Sequence, residues 1–591
     1  MLKPQNTIYL VFMIKKTIYT AMLLLIATCN YGQFLKTKDG SIINDKGKTI
    51  ILRGMGLGGW MLQEGYMFRL GNLGQQYRIK EKINDVVGAE KTKVFYDQWL
   101  LNHTTKKDID SLAAWGFNSV RLPMHYNLYT LPVDEEPVNG QDTWLQKGFV
   151  MTDSLLSWCR DNKMYLILDL HAAPGGQGND LPISDRDPAK PSLWESKENQ
   201  EKTIAFWKKL AERYVNEPWI GGYDIINEPN WGFEDPKNDF RGISESKNEP
   251  LRQLMVDITK AIREVDKKHI IIIEGNGFGN NYKGVLPPWD DNMVLSFHKY
   301  GNFNTNTEIQ KYLDLREKYN LPLWLGESGE NSNTWFTEAI NLAEKNNIGW
   351  AWWQLKKMNI NNPLEIKRPE GYNKLLEYWS DKGPKPSEAE AWNILQQLLE
   401  NIRIENNPIH SDVVDAMIRQ VHSTATKPFK YHFIEENTTI NAVDFDMGRQ
   451  RYAYFDKDTA RYQYTPGTNT QGNRGSSYRN DGVDIRITDN KPHVFNIEDD
   501  EWLQYTINIK ATGKYTISFT TSNDKNGSSL SFFINSSEAI KEMLVPVTDT
   551  IQNWKTTIAK DVLLKKGIST IRLIAIKGGF DLSAIQFEKQ K

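Results

Sequence analysis

The chain has 591 residues, with 72 Lys+Arg against 74 Asp+Glu and a formal charge of −2. At about 150 residues per domain this is more than one domain, and the balanced charge gives no drive toward nucleic acid or an anionic membrane face. Hydrophobic residues make up 39% and aromatics 11%, enough for large cores, so a disordered chain is excluded.

Lys15 and Lys16 precede the apolar run Ala21-Met22-Leu23-Leu24-Leu25-Ile26-Ala27. A positive segment followed by an apolar stretch too short to span a bilayer is the pattern of an export signal. Residues 1–32 are therefore expected to be a signal peptide, with Met13 as a possible later start and cleavage near Gly32–Gln33. The protein is expected to be periplasmic or extracellular. Lipid anchoring at Cys29 is the alternative, and Thr28 before it is larger than the usual Gly or Ala. No other stretch is long and apolar enough for a membrane helix. Cys159, in the helical pattern Ser154-Leu155-Leu156 to Trp158-Cys159, is expected to be a small buried apolar residue, and a Cys-based metal site is excluded.

Beyond Phe34, short apolar runs alternate with amphipathic segments. Strands are predicted at Thr49–Leu52, Asn118–Leu122, Tyr165–Leu170, Gly222–Ile226, Ile270–Ile273, Met293–Phe297, Pro322–Gly326 and Ile348–Trp352. Helices are predicted between them at Lys106–Ala114, Thr203–Tyr214, Pro250–Val265 and Thr337–Lys345. This count predicts an α/β fold, a (β/α)8 TIM barrel over residues 33–405. Ser387–Arg403 would close it, and residues 406–430, with Ser411–Gln420 and Pro428-Phe429, form a helical linker. Over residues 431–591 the texture becomes β-rich, with Trp502–Ile509, Lys514–Thr520, Ser529–Ile534 and Thr570–Ile576, which predicts an all-β sandwich of jelly-roll type.

Two predicted barrel strands end in carboxylates. Glu228 follows Gly222-Tyr223-Asp224-Ile225-Ile226-Asn227, and Glu327 follows Leu323-Trp324-Leu325-Gly326. A carboxylate ending a buried strand has no packing purpose, and its burial costs several kcal/mol unless it is paired or its pKa rises. Glycoside hydrolysis needs two carboxyls flanking one bond, one protonated and one ionised. The competing reading is a salt bridge to Arg121 at the barrel mouth. Glu274, after Ile271-Ile272-Ile273, is a third strand-end carboxylate, expected to line the pocket or brace a loop. Asn216-Glu217-Pro218 copies Asn227-Glu228-Pro229 but falls before a strand and reads as a helix-to-strand turn.

Asn227-Glu228-Pro229, His298 and Tyr300, Glu327 and Trp353, in this order on these strands, resemble glycoside hydrolase family 5, from about Phe34 to Leu399. The resemblance implies Glu228 as general acid/base, Glu327 as nucleophile, and Arg121 as the cation that keeps Glu327 ionised. It further implies Asn227 on the sugar 2-hydroxyl, His171 and His298 lining the reacting-sugar site, Tyr300 beside the nucleophile, and Trp353 as a platform under the sugar. Trp352 points the other way by strand alternation and is expected in the core. Gly56-Leu57-Gly58-Gly59-Trp60 with Glu64, and His171-Ala172-Ala173-Pro174-Gly175-Gly176-Gln177, are similar to the exo-β-1,3-glucanase branch, in which Glu64 would grip hydroxyls of the terminal glucose. His125 has no counterpart in that branch. The long segments Gly175–Glu195 and Asn230–Asn248 are candidates for walling one end of the cleft.

Residues 431–588 resemble carbohydrate-binding module family 6 in Asn441-Ala442-Val443-Asp444-Phe445-Asp446, Tyr478-Arg479-Asn480-Asp481-Gly482, Asn553-Trp554 and Gly579-Phe580-Asp581. That resemblance implies a sugar held between Tyr478 and Trp554, with Asp581 where the family has an Asn. Trp502, at a strand start, is expected in the core. Calcium is a possible ligand of such modules, but Val443 and Ser583 stand where oxygen ligands are usual. The expectation is an exported retaining β-glycosidase without cofactor or resident metal, exo-acting on β-1,3-glucan. An endo-β-1,4-glucanase or mannanase, and an inactive carbohydrate-binding scaffold, are the alternatives. The partner is a β-glucan or related saccharide, with no nucleic acid, membrane span or protein partner implied.

Overall fold

The computed structural model describes residues 33–524, 526–550 and 553–591. The expected signal peptide, Met13 and Cys29 lie outside the described residues. Within them, no helix is long and apolar enough to cross a membrane.

Eight parallel strands close into a barrel: β1 (Arg53–Gly56), β2 (Ser119–His125), β3 (Tyr165–Ala172), β4 (Ile220–Asp224), β5 (Ile271–Glu274), β6 (Met293–Lys299), β7 (Leu323–Gly329) and β8 (Gly349–Trp353), with β8 pairing back to β1. Seven coincide with predicted runs. The first does not: Thr49–Leu52 leads into the barrel, and β1 is Arg53-Gly54-Met55-Gly56. Two glycines in four residues hide this strand from a propensity reading. Packing requires them, because a Cβ on Gly54 would sit 3.0 Å from the Trp350 carbonyl and one on Gly56 2.7 Å from the Trp353 ring.

The outer layer contains α1 (Gln76–Asn102), α2 (Lys106–Trp115), α3 (Gln146–Asp161), α4 (Lys197–Tyr214), α5 (Glu249–Val265), α6 (Asn306–Tyr319), α7 (Asn333–Lys345), α8 (Tyr372–Trp379) and α9 (Glu388–Asn401). Helix α5 shows why such segments are helical. Pro250 stands in its first turn, and Leu251, Leu254, Met255, Ile258 and Ile262 fall on one buried face. Cys159 and Trp352 are buried in the barrel core as expected. Asn216-Glu217-Pro218 is the turn before β4, with Glu217 paired to Arg160 at 2.6 Å.

The region expected as a helical linker carries a helix that is docked on the barrel. Helix α10 (Ser411–Ile418) packs on α7, and buried Asp412 accepts the Asn333 side-chain amide and the Asn480 backbone N–H, both at 2.8 Å. The C-terminal domain is a sandwich of two six-stranded sheets. Trp502–Ile509, Gly567–Lys577 and Ser529–Ile534 lie in one; Gly513–Ser522 and Phe580–Lys589 lie in the other. Tyr505, Ile507, Phe519, Phe532, Leu582 and Phe587 fill the space between them, as alternation of inward residues requires. Trp502 is only half-buried, a departure from the core position expected. Its ring lies under the Arg572 guanidinium at 3.8 Å, covered by a cation rather than by the apolar interior.

Candidate active site

The site forms at the C-terminal ends of the barrel strands, where neighbouring strands aim their last side chains inward. At its base Arg121 (β2) is fully buried. It donates to Asp224 at 2.8 and 3.0 Å, to Glu327 at 2.9 Å, to Asn227 Oδ1 at 2.7 Å and to Glu274 at 3.2 Å, with Asp169 at 3.3 Å. Burial works against its charge, but Asp169, Asp224, Glu274 and Glu327 outweigh it and hold the guanidinium firmly protonated. One cation cannot balance four anions in a dry space. Burial, joined by neighbouring carboxylates, pushes both Asp169 and Asp224 well above the usual carboxylate range, against the pull of Arg121.

Asp169 and Asp224 were not singled out from the sequence. Their signal was the one that revealed the glutamates, an acidic residue inside an apolar run. Asp169 lies within β3 and Asp224 ends β4, and both face the Arg121 guanidinium.

Glu327 is 6% exposed; its Oε2 takes the Arg121 bond and its Oε1 accepts the Tyr300 hydroxyl at 2.7 Å. Glu228 is 8% exposed and has φ of 41°. Its Oε1 lies 2.6 Å from His298 Nδ1, and its backbone N–H donates to Glu274 Oε2 at 2.7 Å. Single ligand atoms of Glu228, His298 and Glu327 all fall within 4.8 Å of one another. Burial pushes His298 down, but Glu274, Glu327 and Glu228 together hold it well above the ordinary histidine range. Burial pushes Glu274 up; His298, Arg121 and the Glu228 N–H outweigh that and keep it below the usual range.

His171 is the opposite case. Burial drives it down to about 3, so the ring is neutral. Its Nδ1 donates to Asp169 at 2.8 Å, leaving Nε2 as acceptor 3.3 Å from the Asn227 amide. Gln177, from the Gly-Gly-Gln segment, ties the His171 and Asn227 carbonyls together at 2.7 and 2.8 Å. Trp353 is 4% exposed, with its ring against Gly56 and Gly58, parallel to His171 at 5.1 Å, and its Nε1 donating to Tyr66 at 2.7 Å. Little of it is open as a platform. Tyr66, which the sequence did not single out, presents 46% of its surface while its hydroxyl is anchored to Trp353 and Gln354. Glu64 is buried, with His171 Nε2 4.0 Å away; burial, then Glu327 and Glu228, raise it well above the usual range. His125 pairs with Asp185 at 3.0 Å, outside this set of contacts.

The two long segments do meet. Asn179 N–H donates to the Asn230 carbonyl at 2.9 Å, Arg186 lies over Trp231 at 4.9 Å, and Trp194 packs edge-on against Phe233 at 5.1 Å. They form one bonded wall beside β3 and β4.

In the sandwich, Trp554 is 38% exposed and packs on His493 at 5.1 Å, and His493 Nε2 is 3.7 Å from Asp581. Tyr478 belongs to other contacts: its hydroxyl donates to Asp444 at 2.5 Å, and its ring faces Phe429 and Lys430 of the connector. The residues at the family's calcium positions do not fit the ion, because Val443 is an apolar side chain inside the sandwich core.

Residues 80–359 match the family model for cellulase (glycosyl hydrolase family 5), and residues 475–589 that for carbohydrate binding module (family 6). The chain is 26% identical to a β-xylosidase of Phanerodontia chrysosporium over 433 residues, 65% of this chain and 85% of the relative. It is 25% identical to endoglucanase C of Acetivibrio thermocellus over 339 residues, 47% of this chain and 91% of the relative. It is 27% identical to a probable glucan 1,3-β-glucosidase A of Aspergillus clavatus over 267 residues, 44% of this chain and 57% of the relative. The barrel is a glycoside hydrolase domain of family 5, and the sandwich is a carbohydrate-binding module of family 6.

Proposed function

We propose that the protein is an exported, exo-acting β-glycosidase that cleaves β-1,3-glucan with retention of configuration, without cofactor or resident metal. The observation that carries the retaining mechanism is the approach of Glu228 and Glu327 to within 4.8 Å. Retaining pairs stand about 5–5.5 Å apart, and inverting pairs stand about 6.5–9.5 Å apart to admit a water.

Glu327 attacks the anomeric carbon while the leaving oxygen takes a proton from Glu228; a water then gives its proton to Glu228 and releases the sugar. Arg121 and Tyr300 hold the two oxygens of Glu327 and fix its line of attack. His298 Nδ1, 2.6 Å from Glu228 Oε1, orients that carboxyl toward the leaving oxygen. Neutral His171 and Asn227 present uncharged polar groups to sugar hydroxyls.

Exo action is supported by the bonded wall of residues 175–195 and 230–248 and by Glu64, whose carboxyl has no hydrogen-bond partner among the described residues. The β-1,3 linkage is supported by the Gly56–Glu64 and His171–Gln177 segments and by the likeness to the glucan 1,3-β-glucosidase. Product analysis on β-1,3-, β-1,4- and β-1,6-glucans, mannan and xylan, beside Glu327→Gln, tests this. Glucose alone from β-1,3-glucan, absent in the variant, is expected. Mixed oligomers would make it an endo-enzyme, and no product from any substrate would favour a binding scaffold.

A further inference from the structure

The sandwich does not merely trail the barrel. Its segment 459–480 lies on the barrel loops that follow β6, β7 and β8, on the same face as the catalytic pair. The Tyr464 N–H donates to the Gly301 carbonyl at 3.1 Å, one residue beyond Tyr300. Asn331 exchanges two bonds with the Arg461 backbone at 2.6 and 3.0 Å, four residues beyond Glu327. Buried Asn480 donates to the Asn331 carbonyl at 2.9 Å and to Asn333 at 3.1 Å.

Between these contacts lies a cavity of about 220 Å³, walled by Glu330 and Asn361 from the barrel and by Arg461 and Gln471 from the sandwich. A chain of side-chain contacts links its wall to the catalytic residues, and Glu330 stands three residues beyond Glu327. Glu330 pairs with buried Lys357, Lys357 lies 5.8 Å from the Tyr66 ring, and Tyr66 holds Trp353. Most of its polar groups are paired within the protein, but three side chains keep hydrogen-bonding capacity. Asn361 Oδ1 is buried with no partner, and the Arg461 and Gln471 side chains are exposed and make no ion pair or hydrogen bond among the described residues.

Planar amides and a guanidinium facing a cavity of one-ring size are groups that pair with vicinal sugar hydroxyls. From this arrangement we infer that the interdomain cavity is a substrate subsite, which binds a sugar unit in the leaving-group portion of the glucan through Asn361, Arg461 and Gln471. The inference rests on the exo-glucanase reading, under which every unit beyond the cleaved one lies on that side. It makes the sandwich a part of the active-site cleft.

The test uses the full chain carrying Arg461→Ala with Gln471→Ala, both exposed positions, and separately Asn361→Ala. KM is measured on β-1,3-gluco-oligosaccharides of increasing length and on a nitrophenyl β-glucoside. The ratio of oligosaccharide KM to glucoside KM is expected to rise about 10-fold for the longer chains, the worth of one or two hydrogen bonds. A ratio that stays at the wild-type value at every length, or an equal loss on both substrates, overturns the proposal.

If the wild type turns over no glucoside, the functional reading has failed and the cavity is judged by binding instead. Calorimetry with a β-1,3-glucohexaose then compares Trp554→Ala with Trp554→Ala carrying the double substitution. A roughly 10-fold weaker Kd in the latter supports the subsite, and equal affinities overturn it.

Discussion

Glu274 Oε2 accepts the backbone N–H of Glu228 at 2.7 Å, and Glu274 Oε1 faces His298 Nε2 at 3.0 Å. Since His298 Nδ1 meets Glu228 at 2.6 Å, Glu274 holds Glu228 twice, through its main chain and through the imidazole. That support keeps a non-glycine residue at φ 41° in a left-handed backbone. Glu274 is thus a positioning residue. Glu274→Gln keeps the shape and removes one anion from beside His298, so the His298 pKa falls. The alkaline limb of the kcat/KM profile on an aryl β-glucoside is expected to move to lower pH. A uniform loss with no movement of that limb would mean that Glu274 acts only as a spacer.

The two glutamates are separable by azide rescue. Each alanine variant is expected to lose about 10²-fold to 10⁴-fold or more in kcat/KM on a glycoside with a poor leaving group. In Glu327→Ala, azide occupies the nucleophile's place and the product is an α-glucosyl azide. In Glu228→Ala, the glucosyl-enzyme still forms and azide attacks it from the opposite face, giving a β-glucosyl azide. NMR of the azide products checks this, and exchanged anomers would exchange the assigned roles.

Tyr300→Phe removes one donor to Glu327 and leaves Arg121 in place. A hydrogen bond to a charged group contributes about 1.5–3 kcal/mol, so kcat/KM is expected to fall roughly 10- to 100-fold. The melting temperature of the variant, compared with the wild type, separates this from a loss of fold.

Asp581 is pushed up to about 6 from 3.8, by burial first and by Asp524, against the Asn496 N–H and Arg486. The folded state therefore binds a proton that the unfolded state releases at lower pH. This group's contribution to stability is fully present below about pH 3.8 and is lost as pH rises through 6. Asp581→Asn has no charge to bury. It is expected to raise the melting temperature of the sandwich at pH 8 and to leave it near the wild-type value at pH 3.5, a comparison that calorimetry makes directly.

Alternation of apolar runs with amphipathic helices was enough to place seven of the eight barrel strands, because buried parallel strands and surface helices have different hydrophobic periods. β1 escaped because its glycines exist for Trp350 and Trp353, residues some 300 positions away. Glu228 and Glu327 were legible because an acidic residue closing an apolar run is costly unless it has a use. Asp169 and Asp224 carried the same signal but became meaningful only around Arg121, when β2, β3 and β4 came side by side.

The chain by itself thus determined the barrel, the sandwich and the carboxylate pair, each written in local pattern. Tertiary structure alone decided which carboxyls are pushed up, that His171 is driven down while His298 is held up, and that the 459–480 segment bonds to the barrel loops after β6 and β7. Those outcomes depend on burial and on charges brought close from distant strands, and on contacts such as Asn480 with Asn331, 149 residues apart in sequence. Coulombic and desolvation energies follow distance in space, which the order of residues along a chain does not record.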